Sequence, residues 1–200
     1  TGMQMRTMAL SLNNDQDVDD VVAYIGTLNG RGQHSGIDGD PIAGKESYTA
    51  CASCHGSNGE GNDALNSPKI AGLADWYIEG QLNKFRKGIR GVHAKDIYGQ
   101  QMRPMAMSIS SDADVRNIAV YVANLKRVTK FESVNLNSNS LVSTPKSSIN
   151  EPLYAPCASC HGADGEGNQK LGAPRLAQQH KWYIKRQLVN WRKGIRGTHS

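Results

Sequence analysis

A stretch of 44 residues occurs twice in this chain, and any fold it adopts must accommodate the repetition: residues 51–94 and 157–200 align without a gap at a shift of 106, with 25 identities. Repetition over such a length marks two copies of one structural unit. Each copy opens on the same pentapeptide, Cys51-Ala52-Ser53-Cys54-His55 and Cys157-Ala158-Ser159-Cys160-His161, and each pentapeptide is followed by Gly. Two thiols three apart with an imidazole directly after them form the attachment pattern of a c-type haem: the thiols add to the porphyrin vinyl groups and the imidazole ligates iron. A Cys-x-x-Cys pair alone also serves zinc ribbons and redox motifs. Zinc would have to draw the two pairs together across 106 residues, and neither zinc nor a disulfide framework accounts for the repeated His.

The two copies are complete in different ways. The first continues through Met102-Arg103-Pro104-Met105 into a helical pattern ending near Leu125, whereas the second stops at Ser200. Its counterpart of that half lies at the other end of the chain: residues 2–28 align with 99–125 at a shift of 97, with 12 identities, among them Met5 with Met102 and Tyr24 with Tyr121. The order is tail, whole unit, head. Head and tail nearly complete one unit, either within one chain or between neighbouring chains. The resulting division is 1–28 as the second half of a unit, 29–40 as a Gly-rich linker, 41–128 as a complete unit, 129–150 as a Ser/Asn-rich linker and 151–200 as the first half of a unit. Fully extended, the longer linker reaches about 70 Å. Thr1 in place of an initiator Met, and no signal peptide pattern, mark a mature chain, a processed product or a fragment.

Helical periodicity dominates. Ser111-Asp112-Ala113-Asp114 opens a run in which Val115, Ile118, Ala119, Val122 and Leu125 recur at helical spacing, and residues 14–28 repeat it. A helix starts after Asp75 and stops at Gly88, and a short one through Gly44 and Tyr48 enters the first haem motif. In the second copy Pro152 and Pro156 are expected to leave little of that short helix. Strand signals are nearly absent, so the expected class is all-α. Only 38% of the residues are hydrophobic and two are Phe, against 21 Gly, too little apolar mass for one 200-residue core. Two small domains, each wrapping a flat apolar cofactor, resolve the shortage.

An electron-carrying haem needs a ligand on each face, since an empty face admits oxygen or peroxide. His55 and His161 supply one face of each. For the other, the repeat nominates Met102 for the first haem and Met5 for the second, with Met105 and Met8 as alternatives; a neutral, soft thioether favours ferrous iron and raises the potential. His93 and His199 are also repeated and would give bis-His iron. His34 and His180 have no repeat partner and are read as surface residues. Arg90 and Arg196, in the repeated Arg-Lys-Gly-Ile-Arg-Gly segments, are candidates to pair with haem propionates or to form a docking face.

With Cys-x-x-Cys-His-Gly, Pro68-Lys69-Ile70-Ala71-Gly72 or Pro174-Arg175-Leu176-Ala177, Tyr-x-x-x-Gln-Leu from Tyr77 and from Tyr183, and Met-x-x-Met before a helix start, the chain resembles class I c-type cytochromes and most of all the dihaem cytochrome c4 family. The resemblance covers both copies. It implies an all-helical fold, two covalently attached haem c groups with His/Met iron, single-electron transfer, and carbonyls of Pro68 and Pro174 that accept the second imidazole proton of His55 and His161. Tyr77 and Tyr183 join the cofactor-binding candidates on the same basis. The departure from that family is the order of the pieces.

A formal charge of +5 without interleaved aromatic and basic residues argues against a nucleic-acid partner, and no apolar run reaches the length of a membrane span. The expected partners are redox proteins, together with neighbouring copies of the chain if Met5 is supplied in trans. Completion in trans would be heterologous and would propagate into a haem wire. The expected location is the bacterial periplasm or outer surface, and the expected role is electron transfer rather than catalysis. The competing class, a haem peroxidase or sulfur-compound dehydrogenase, needs a displaceable distal ligand and nearby acid-base groups.

Overall fold

The computed structural model describes residues 2–31, 36–125 and 151–198, which form eight helices and, among the described residues, no strand. In chain order these are α1 (Gly2–Leu10), α2 (Asp15–Ile25), α3 (Pro41–His55), α4 (Asp75–Arg86), α5 (Ile97–Met107), α6 (Asp112–Asn124), α7 (Glu151–His161) and α8 (Lys181–Arg192).

The helix starts follow from their capping residues. Asn14 Oδ1 accepts from Asp17 N at 2.8 Å and Ser111 Oγ from Asp114 N at 3.1 Å, at equivalent places before α2 and α6. Asp17 in turn accepts from the N–H of Asn13, the residue before the cap. Asp40 caps α3, where Pro41 occupies the first turn and forfeits no helical bond. The methionine segments, which carry Pro104 in one copy, are themselves helices, α5 and α1.

α7 persists through Pro152 and Pro156, contrary to the expectation from those two prolines. Pro152 lies in the first turn, whose N–H groups have no helical acceptor anyway, so only Pro156 removes a ladder bond. Packing offsets that loss: Tyr154 is fully buried, its hydroxyl donates to Gly162 O at 2.8 Å, and its ring meets Tyr24 at 5.2 Å.

Two cores form. Tyr48, Leu82, Phe85, Ala106, Val115 and Val122 build one from the continuous stretch α3–α6. The other joins Ala9, Val18, Tyr24 and Leu28 from the start of the chain to Tyr154, Ile184 and Leu188 from its end. The second cytochrome-like domain is thus assembled from head and tail, here within one chain, with α1 and α2 packed on α7 and α8. We call the two the continuous and the split unit. Within the continuous unit α3 crosses α6 at Gly44, where a Cβ would lie 2.0 Å from Asn117 O, so only Gly permits the approach. The ends of the 29–40 segment are pinned: Gly30 N donates to Asp164 O of the split unit, and Ile37 N to Asp75 Oδ2 of the continuous one. Residues 129–150 lie outside the described residues.

The units meet along α4, α8 and the loops before them. Trp182 Nε1 donates to Asp63 Oδ1 at 2.7 Å, Gln179 Nε2 to Lys69 O at 2.8 Å and Arg186 Nη2 to Asn66 O at 3.0 Å, while the Arg186 guanidinium lies over Tyr98. His180, expected at the surface, is half-buried in this seam, its Nδ1 3.2 Å from Asp63 Oδ1. Ala74 stands at the equivalent position of the other copy, so repetition carried no signal for it. His34 lies outside the described residues.

Candidate haem-binding sites

Both Cys-x-x-Cys-His motifs occupy the last turn of a helix, α3 or α7, so the thiols three apart share a face and the imidazole follows beside them. No disulfide joins the four cysteines; Cys54 and Cys160 are exposed, Cys51 and Cys157 half-buried. Among the described residues no group of three or more His, Cys, Asp or Glu side chains could hold a metal ion, so the two Cys pairs are not gathered into a zinc-type cluster.

The loop after each motif is built to return to the imidazole. Gly56 and Gly162, both at φ 82°, end the helices in a conformation that a side chain disfavours. Gly61 N and Gly167 N then bond back to His55 O and His161 O, each at 2.8 Å, and isolated bridges Asn62–Ser67 and Asn168–Ala173 turn the chain. The next residues are Pro68 and Pro174. Their carbonyls stand 2.9 Å from His55 Nδ1 and 2.7 Å from His161 Nδ1. A carbonyl only accepts, so Nδ1 carries the proton in both rings and the Nε2 lone pair is left for a ligand. Burial lowers both histidine pKa values, outweighing the carbonyl bonds, and keeps the rings neutral, the form that binds metal.

His161 Nε2 faces Met5 Sδ at 3.4 Å. Met102, at the equivalent position on α5, is half-buried against the continuous unit's core. Met8 is half-buried, whereas Met105 is 43% exposed. His93 is half-buried, with Nδ1 accepting from Lys95 N at 3.1 Å; His199 lies outside the described residues.

The remaining candidates gather where the units meet. Arg90 Nη2 donates to Tyr183 Oη at 3.1 Å and its Nη1 to Gln81 Oε1 at 2.8 Å. Arg196 Nη2 donates to the same Gln81 oxygen at 3.0 Å and Nη1 to Gln187. Tyr77 contributes on the Arg196 side, and burial together with the Arg90 charge lowers the Arg196 pKa. Two guanidiniums therefore converge from opposite units with amide and phenol oxygens as hydrogen-bond acceptors, and Arg90 Nε is sealed from solvent without a partner. Converging cations and an orphaned donor suit carboxylates, which a haem carries on its periphery. Gln81 and Gln187 were not singled out by sequence, although both stand in the repeated Tyr-x-x-x-Gln-Leu segment.

The family model for cytochrome c matches residues 42–126 and 151–198. The chain belongs to the cytochrome c family. Cytochrome c4 of Pseudomonas aeruginosa is 32% identical over 158 residues, covering 79% of this chain and 74% of that protein. A thiosulfate dehydrogenase electron acceptor of Stutzerimonas stutzeri is 31% identical over 153 residues, covering 74% of this chain and 65% of that protein. Among solved structures, reduced recombinant cytochrome c4 from Pseudomonas stutzeri superposes with a TM-score of 0.58 at 30% identity, covering 80% of this chain and 83% of that one. The cofactors are two covalently bound haem c groups, one at Cys51 and Cys54, the other at Cys157 and Cys160. The family match does not include α1 and α2, whose place in the split unit comes from the repeat and from packing.

Proposed function

We propose that this cytochrome is a single-electron carrier in which His55 and Met102 ligate the iron of one haem and His161 and Met5 that of the other, the second site being completed by the chain's own first helix. The observation that carries this reading is the 3.4 Å approach of Met5 Sδ to an imidazole whose Nδ1 is already committed to Pro174 O. When bound, haem supplies a ferric/ferrous couple. The chain's residues do the rest. Pro68 and Pro174 fix the tautomer and orientation of the histidines. Neutral Met and His donors favour the lower-charged ferrous state, and the apolar cores shed water from the ring. The seam of Arg90, Arg196, Tyr77 and Tyr183 provides donors for haem carboxylates from both sides, which brings the two cofactors to one interface.

Domain limits of 41–128 and of 151–200 with 1–28 follow from the same reading. The partners are redox proteins. Relatives named as an electron acceptor for thiosulfate dehydrogenase and as a subunit of a cbb3-type oxidase support a carrier that works beside enzymes rather than as one. Thioether attachment and four cysteines committed to haem suit the bacterial periplasm, and among the described residues no helix is long and apolar enough to cross a membrane.

Ferric holoprotein is expected to show two low-spin His/Met haems, with Met5→Ala converting one to high spin and Met102→Ala the other. Its native mass is expected to stay that of one 21.7 kDa chain plus haem at all concentrations. Particles that grow with concentration and lose the second haem's sixth ligand on dilution would replace completion in cis by a head-to-tail wire. Peroxide or thiosulfate turnover by a high-spin second haem would make the protein an enzyme.

A further inference from the structure

The two units meet along two edges related by the repeat, and side chains close only one of them. On the closed edge Arg186 lies over Trp182 and Tyr183 of its own helix, its guanidinium carbon 4.8 and 5.6 Å from the ring centroids, and its Nη2 donates to Asn66 O of the opposite unit at 3.0 Å. Trp182 Nε1 and Gln179 Nε2 cross the same edge to Asp63 and to Lys69 O. At the shift of 106 the counterparts of Arg186, Asn66 and Asp63 are Gly80, Gly172 and Gln169, and those of His180 and Gln179 are Ala74 and Leu73. On the second edge each of these bonds has therefore lost its donor or its carboxylate.

The open edge nevertheless keeps the receptor for the missing group. Trp76 and Tyr77 stand edge to face with centroids 5.8 Å apart at 74°, against 5.9 Å and 84° for Trp182 and Tyr183. Gly172 has φ 64° where Asn66 has 53°, so the loop makes the same left-handed turn at the residue whose carbonyl receives Arg186 on the closed edge. Nothing lies within 4 Å of where a Cβ on Gly80 or on Gly172 would stand. Trp76 is half-buried and borders a recess with Ala74, Gln169, Glu166 and Arg175, the last two balancing each other in formal charge. Lys69 holds the place of Arg175 on the closed edge, buried to a similar extent, so a cation at that depth does not bar a guanidinium from the rings above it. Tyr98, the third ring against Arg186, corresponds to Thr1, which lies outside the described residues. Ring faces beside a carbonyl suit a planar cation with several N–H donors better than a compact ammonium. Guanidinium is also what the chain itself places there on the closed edge.

We infer that the open edge is a docking surface for a protein partner that lays an arginine side chain over Trp76 and Tyr77, with Gly172 O as acceptor and Leu171, 52% exposed, as an apolar border. The rings come from the continuous unit and the carbonyl from the split unit, so a partner seated there holds both. The inference does not depend on which methionines ligate iron.

The test is a magnetic-resonance titration of the reduced, nitrogen-15-labelled dihaem holoprotein with the peptide acetyl-Ala-Arg-Ala-amide, the Trp76 indole N–H being assigned through Trp76→Phe. A saturable shift of the Trp76 signal is expected, with that of Trp182 unmoved because Arg186 already covers its ring. The same peptide with citrulline for arginine keeps the shape without the charge and is expected to bind at least about threefold more weakly. Gly80→Arg is expected to abolish the shift by filling the site from within, whereas Gly80→Ala keeps it; both replacements enter α4 where space is open. Absence of a saturable shift, equal affinity for the citrulline peptide, or a shift that survives Gly80→Arg overturns the inference.

Discussion

The continuous and split units present the same contacts through different chain connections. Arg86 reaches Asp112 in one and Arg192 reaches Asp15 in the other. Tyr48 and Tyr154 donate to the carbonyls of Gly56 and Gly162, and their rings meet Tyr121 and Tyr24 at 5.3 and 5.2 Å. Yet α6 follows α3 along one unbroken stretch, whereas α2 precedes α7 by some 125 residues. Burial and hydrogen bonding act between surfaces and are indifferent to the order of the chain. Order enters through the entropy of bringing the ends together, which grows only slowly with the intervening length. The split unit can therefore keep the family's packing, but its last two helices are held by contact alone.

Excision of residues 1–31 tests that difference most severely. It strips Val18, Val21, Tyr24 and Leu28 from the second core, and burial of four such side chains is worth about 6 kcal/mol or more, comparable to the stability of a whole domain. The split unit is expected to lose its low-spin haem and its helices by circular dichroism, while the continuous unit's haem spectrum persists. Loss of both would mean that the two units fold only together.

Leu28→Ala against Leu125→Ala sharpens the comparison within intact chains. Both side chains pack on the glycine of the loop after the haem motif, Gly165 or Gly59. Leu28 is 1% exposed and Leu125 half-buried, so the first change should cost about 2–4 kcal/mol and the second visibly less in denaturant titrations followed at each haem. Equal costs would show that the difference in burial does not set the sensitivity.

A smaller effect is expected at the seam. Trp182→Phe removes the indole bond to Asp63, worth about 1–2 kcal/mol of contact between the units because the acceptor is charged. It should leave both haem spectra alone while narrowing the gap between cooperative and separate unfolding. The smallest effect concerns the surface pair of the continuous unit. Hydrogen bonding to Arg86 holds the Asp112 carboxyl below its ordinary value, so the pair's contribution is fully present above the unfolded carboxyl's range and is lost as pH falls through the folded value. Arg86→Gln should therefore lower the melting temperature slightly at neutral pH and not at all in strong acid.

Much of this was legible because repetition doubles every signal. The haem motifs, the helix starts at Asn14 and Ser111, and the equivalence of Met5 with Met102 are each written twice. Features present once were harder to read. His180 reads as a surface residue because its counterpart is Ala74, so the repeat carries no signal for it. Pro152 and Pro156 suggested a broken helix, since local propensity knows nothing of the core that Tyr154 enters.

By itself the sequence determined the all-helical class, the two covalent haem attachments and the complementarity of head and tail, since these depend on residue type and spacing along the chain. Tertiary structure decided what spacing leaves open: that α1 and α2 pack on α7 and α8 of their own chain, that Pro68 and Pro174 return to the imidazoles, and that Arg90 and Arg196 converge on one glutamine. These are meetings of surfaces distant in sequence, and only the packing of complementary apolar faces in three dimensions selects among the arrangements that the same local pattern allows.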